Sequence, residues 1–177
     1  MQSSEPNRFD LVLADPRAHA CRVINAMLPY GVEAPVTEED EVDYEALNGM
    51  VIHAVSALNK SSQGGRMRIY RAITVAADWE PETVGVHWTY LKERAIPYNG
   101  NTSDYIVLEA TVDLEDVHLY QTIVLNMDLT EDEILLLKSA EVLVERAWTK
   151  DGRPSHDHLN GRTFGSAILV PSRTLGI

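Results

Sequence analysis

Residues Arg66–Ala95, RMRIYRAITVAADWEPETVGVHWTYLKERA, decide the fold. From Arg66 the pattern has period two: Met67, Ile69, Arg71, Ile73 and Val75 fall on one face, and Arg68, Tyr70, Ala72 and Thr74 on the other. A strand is expected, with an arginine in the middle of its apolar, core-directed face. A guanidinium there needs a carboxylate, a set of carbonyls or a ligand anion, because an unpaired buried charge is costly. Glu109 and Glu145 are the acids that would serve as structural partners. Trp79–Thr83 is a polar turn carrying Pro81, and Gly85-Val-His-Trp-Thr89 reads as a short strand or strand end. Thr89 is placed to cap a short helical segment over Tyr90–Ala95, which Pro97 ends.

Ahead of this stretch the period changes to that of helices. Residues 1–15 read as a loose lead with a short apolar run at Phe9–Leu13. Pro16 opens a helix whose stripe is Ala18, Cys21, Ile24 and Met27 or Leu28, and Pro29-Tyr30-Gly31 stops it. A second stripe, Leu47, Met50, Val51, Ala54, Val55 and Leu58, is cleaner, with His53 on the polar face and an acidic stretch that suits a helix N-terminus in front. The glycines of Asn59–Gly65 make no phosphate loop, since no Gly-Lys-Ser/Thr follows and a strand comes next. Downstream, strands are expected at Tyr105–Asp113, Leu119–Leu125, Ile134–Leu137 and Glu141–Ala147, with a last one at Ser166–Val170 in a loop-rich tail. Helices followed by strands with little helix between them imply one α+β domain. Residues 1–60 form a helical part packed on a mostly antiparallel or mixed sheet over 66–148, and 149–177 form the tail.

With 177 residues, 45% of them apolar, the chain is long enough for one well-buried core. Its net charge of −12 argues against a broad grip on a phosphate backbone. No basic and apolar leader opens the chain and no apolar run reaches membrane-spanning length, so neither a signal peptide nor a membrane segment is expected. The one cysteine allows no intrachain disulfide and suits a reducing, cytoplasmic compartment; Cys21 is expected to be a buried thiol. Ser155-His156-Asp157-His158 lacks a third and fourth ligand nearby and reads as a polar loop, so no metal is expected. No Gly-x-Ser-x-Gly elbow supports a serine hydrolase.

Three pieces remain: Ile69-Tyr70-Arg71-Ala72 on a strand, His87-Trp88-Thr89 followed six residues on by Ala95, and Glu131-Asp132-Glu133 leading into Ile-Leu-Leu-Leu-Lys-Ser-Ala-Glu-Val-Leu-Val. Their order and spacing resemble the ADP-ribosyltransferase family, in the branch built from an arginine, a Ser-Thr-Ser segment and a Glu-x-Glu pair. The resemblance covers about Arg66–Trp148. Ala72 stands where that family usually has glycine. His87-Trp88-Thr89 replaces Ser-Thr-Ser, so His87 would take over from the serine that positions the catalytic glutamate.

The resemblance implies a split β-sheet core, NAD as substrate and mono-ADP-ribosyl transfer to a protein target, in the manner of a small toxin-like effector. Breaking the bond between nicotinamide and ribose passes through an oxocarbenium-like centre, which a fixed negative group stabilises. By the resemblance, Glu133 supplies that charge and Glu131 orients the nucleophile; in an extended segment the two would point the same way, with Asp132 opposite. Arg71 would hold the phosphates, and Thr89 would fix Glu133 or the ribose. Trp88 or Tyr98 would stack on a ring of the dinucleotide. The alternatives are an NAD glycohydrolase and an inactive interaction protein of the same fold, whose acidic residues 38–45 would meet a basic partner. The enzymatic reading requires the Arg71 guanidinium and the Glu133 carboxylate to open onto one cleft.

Overall fold

The computed structural model describes residues 5–75, 78–97, 104–127 and 132–167. Its elements in chain order are α1 (Arg8–Ala14), α2 (Pro16–Met27), α3 (Tyr44–Lys60), β1 (Ser62–Gln63), β2 (Arg66–Ile73), β3 (His87–Thr89), β4 (Ile106–Asp113), α4 (Leu119–Leu125), β5 (Glu133–Leu135), β6 (Glu141–Thr149), β7 (Pro154–Ser155) and β8 (Arg162–Gly165). The eight strands form one sheet in the order β5-β3-β2-β4-β6-β7, with β1 added to β2 and β8 to β6, every pair antiparallel. The class is α+β with an open antiparallel sheet. No helix among the described residues is long and apolar enough to cross a membrane.

α1 forms where a loose lead was expected. Asn7 and Asp10 close a capping box: the Asn7 side chain accepts from the Phe9 and Asp10 amides, and the Asp10 carboxylate accepts from the Asn7 amide. Phe9 and Val12 then enter the core. α2 starts at Pro16, capped by Asp15, but buries Ala20, Val23, Ala26 and Met27, leaving Cys21 exposed. Its small apolar residues are spread round the helix, so packing against α3 and α4 chooses the face. α3 buries the stripe Leu47, Val51, Ala54, Val55 and Leu58, with Asp43 accepting from the Ala46 amide at its start.

Gly64 and Gly65, at φ +59° and +74°, make the tight turn between β1 and β2, a conformation that suits the twist of a hairpin. Leu119–Leu125 is a helix and not the expected strand. Leu119, Thr122, Ile123, Val124 and Leu125 are all buried, so no helical period shows, and the aromatic and β-branched residues mimic a strand. The last strand is Arg162–Gly165, and the expected Ser166–Val170 lies mostly outside the described residues.

Helix residues and the inward face of the sheet make one buried cluster, from Phe9 and Leu58 to Met67, Ile69, Leu108, Val144 and Ile134. Burying each such side chain contributes roughly 1.5–3 kcal/mol. The sheet is continuous between β2 and β4, paired over eight positions, but β2 and β3 pair only at Tyr70–Thr89. Beyond that contact the chain ahead of β3 stays close to β2, with the Arg71 guanidinium packed on Gly85.

Candidate functional site

Register decides which side chains can meet. Tyr70 pairs with Thr89, Thr89 with Glu133, and Tyr70 with Glu109, so these four share one face of the sheet. His87 is two residues from Thr89 and lies on that face too. Its Nδ1 forms a hydrogen bond with Oε1 of Glu133, diagonally across β3 and β5. The His87 side chain is 65% exposed and that of Glu133 20%. An imidazole and a carboxylate thus stand together at the rim of the sheet, the carboxylate mostly sheltered.

Thr89 is buried beside them. Its hydroxyl donates to the Asp132 carbonyl at 2.8 Å and accepts from the Leu91 amide at 3.2 Å. It therefore fixes the peptide that leads into Glu133, not the carboxylate itself. The expected helix over Tyr90–Ala95 is a single 3-10 turn at Lys92–Arg94, with Thr89 closing the bend before it. Lys92 lies over the ring of Trp148, 4.3 Å from its centroid, so this segment crosses the sheet on the Glu133 face.

Arg71 alternates with Tyr70 and so leaves the sheet on the other face, beside Ile69 and opposite Leu108. The requirement that Arg71 and Glu133 face one cleft is not met by the strand register. The physical reason is the pairing itself: Glu133 falls in line with Tyr70, not with its neighbour. Glu109 and Glu145 do not pair with Arg71; both are taken by Arg68, at 3.5 and 3.4 Å. Among the described residues no carboxylate or carbonyl engages the Arg71 guanidinium. It is half-buried against Gly85, and burial pulls its pKa below the ordinary arginine value. An unpaired, partly desolvated guanidinium is the kind of group that an anion would satisfy.

Trp88 is 3% exposed and donates its indole N–H to the Gly85 carbonyl at 2.9 Å. Its ring belongs to the core, on the Arg71 side, and is not available to stack on a ligand. Glu131 and Tyr98 lie outside the described residues. Asp132 has φ +52°, so the segment entering Glu133 is not extended and the expected parallel aim of Glu131 and Glu133 loses its premise.

Residues that sequence reasoning passed over complete the setting. The Asp132 carboxylate accepts from Tyr90 Oη at 3.1 Å and pairs with Arg94 Nε at 3.2 Å. Asn126 Nδ2 donates to the Glu133 carbonyl at 2.7 Å. No linear signal marks these, because each depends on strands and loops meeting across the fold. Two cavities, of about 240 Å³ beside Trp148 and Asp157 and about 190 Å³ beside Tyr105 and Lys150, have neither Glu133 nor Arg71 in their lining. His156 and His158 stand ring to ring at 5.7 Å, with His158 Nε2 hydrogen-bonded to the Trp79 carbonyl. Comparison with protein-family models, with curated proteins and with solved structures finds no match to this chain.

Proposed function

We propose that the protein is an NAD-dependent mono-ADP-ribosyltransferase acting on a protein target, with Glu133 as the catalytic carboxylate and without the phosphate clamp first expected of Arg71, whose guanidinium leaves the sheet on the opposite face. The observation that carries this reading is the hydrogen bond between His87 and Glu133, next to a threonine that holds the preceding peptide. A carboxylate fixed and mostly sheltered at a sheet rim is suited to stabilise positive charge developing on a sugar. The bond from C1′ of the ribose to the nicotinamide nitrogen breaks, its electron pair leaving with nicotinamide, which departs neutral and needs no general acid. The target's nucleophile then bonds to C1′ and releases its proton to solvent water. In this scheme His87 orients Glu133 and Thr89 steadies the backbone behind it, while Arg71, on the other face, stays outside the NAD site.

A second reading keeps the fold without the chemistry, as an interaction protein. The placement of Arg71 and Glu133 on opposite faces favours it, since the two groups then do not share one cleft for a dinucleotide. Hydrolysis of NAD, with water as the acceptor, is the third outcome of the same test.

The deciding experiment incubates the protein with NAD labelled in its adenylate part and a cell lysate. Transfer predicts label on a protein band, lost in Glu133→Gln. Nicotinamide release without label indicates hydrolysis. Absence of both, together with no shift in melting temperature on adding NAD, rejects the enzymatic reading and leaves the interaction protein.

A further inference from the structure

The proposed chemistry rests on one carboxylate, and the fold spends several contacts on the residue just before it. Asp132 takes the left-handed backbone conformation, at φ +52°, which non-glycine residues rarely adopt. Its carbonyl accepts from Thr89 Oγ1 at 2.8 Å and from the Tyr90 amide at 3.4 Å. Its carboxylate accepts from Tyr90 Oη at 3.1 Å and pairs with Arg94 Nε at 3.2 Å. Asn126 then holds the next carbonyl, that of Glu133. An uncommon backbone state persists where the surroundings over-determine it, and such states gather at working sites.

The clamp is anchored on a fixed frame. Tyr90 follows β3 directly, and the turn carrying Arg94 is pinned by Lys92 on the Trp148 ring, whose indole N–H in turn donates to Glu109 at 2.8 Å. The Tyr90 hydroxyl is pushed up to about 12, first by burial and then by the Asp132 carboxylate beside it, so it stays a donor at neutral pH. Arg94 is 60% exposed, and an ion pair so exposed holds weakly. Geometry, not charge, is what this arrangement supplies.

We propose that Asp132, clamped by Tyr90 and Arg94, is the positioning residue of the site: its left-handed turn delivers the Glu133 carboxylate to His87. This rests on the transferase reading for its purpose, but the geometry can be tested without it. Were Asp132 to relax to an extended conformation, the Glu133 side chain would be re-aimed and the bond to His87 lost. Neither Tyr90 nor Arg94 need touch NAD for this effect.

The test compares Asp132→Val, Asp132→Asn and Tyr90→Phe with the wild type and with Glu133→Gln. Two quantities are read: the ring ¹⁵N resonances of His87, which report its hydrogen bond, and kcat and KM for NAD cleavage. Asp132→Val removes the clamped carboxylate and disfavours the left-handed state, so it is expected to move the His87 signal toward its position in Glu133→Gln. Its kcat should fall about ten- to a hundredfold while KM for NAD changes by less than about twofold. Asp132→Asn tolerates the left-handed state and keeps an oxygen for Tyr90, so it should rescue both quantities. Should Asp132→Val fail to melt cooperatively, Tyr90→Phe, which removes a single hydroxyl, carries the same expectation in weaker form. An unmoved His87 signal in a folded Asp132→Val, or an Asn variant as impaired as the Val variant, overturns the proposal. A wild type that leaves NAD intact sinks the transferase reading alone, and the His87 signal still decides whether the clamp holds Glu133.

Discussion

The guanidinium of Arg71 rests on the backbone of Gly85: a Cβ at position 85 would fall 1.7 Å from Nη1 and 2.4 Å from Cζ. Gly85 also sits at φ +85°, and its carbonyl receives the Trp88 indole. The close approach and the positive φ are two demands that only glycine satisfies together. Gly85→Ala should strain the backbone and push the guanidinium aside, lowering stability by about 1–2 kcal/mol. Urea unfolding would check this, and an unshifted midpoint would mean that Arg71 and the loop adapt freely.

Replacing the arginine itself should have the reverse effect on the fold. Arg71 is half-buried on the core face, with no partner among the described residues and a pKa lowered by burial. Arg71→Met keeps much of the length and removes the desolvated charge, so the melting temperature should hold or rise by a few degrees, on the order of 1 kcal/mol. Stability retained with NAD response lost would mark Arg71 as a ligand residue. A clear fall in stability would mark it as a structural one.

The bond between His87 and Glu133 asks only for a donor at position 87. On the proposed transferase reading, His87→Ser keeps a donor and should hold transfer within about tenfold of wild type, whereas His87→Ala should lose more. Label incorporation in the NAD assay compares the two. Equal activity in both would remove His87 from the site.

Alkaline pH should weaken the fold through Tyr90. Its pKa rises from the ordinary tyrosine value of 10.0 to about 12 in the folded state, and Tyr70 shifts in the same direction, also chiefly through burial. A raised acid pKa means that the folded state prefers the protonated form. The contribution is therefore complete below pH 10, and it is lost as pH climbs from 10 toward 12. Melting temperature followed over that range, with tyrosinate absorbance as a second signal, should show a shallower decline in Tyr90→Phe than in wild type.

Cys21 is exposed on α2, so a thiol reagent should modify it under native conditions as readily as after unfolding. Protection in the native state would place α2 with its other stripe inward, as its sequence alone suggests.

Period was a dependable guide where a single apolar stripe stands out from its surroundings. Leu47, Val51, Ala54, Val55 and Leu58 announce α3, and the alternation of Met67, Ile69 and Arg71 marks β2 together with the side on which Arg71 lies. It failed at α4, which is buried nearly all round, and at α2, whose two stripes are of similar apolarity. α1 escaped notice although its signal, an asparagine followed three residues later by aspartate, was present in the chain.

The pairing of Arg71 with Glu109 or Glu145 was a matter of reach, which a linear pattern does not contain; the fold gave both acids to Arg68. Trp88 was readable as core or as ligand wall, and the cover around Gly85 made it core. For the site, the chain by itself determined the chemistry on offer: an imidazole, a hydroxyl and a carboxylate on short strands, and a cation among apolar neighbours. Only tertiary structure decided who faces whom. Side-chain direction alternates along one strand, but the phase between β2, β3 and β5 is set by hydrogen bonds between segments far apart in sequence, and the left-handed Asp132 resets it just before Glu133.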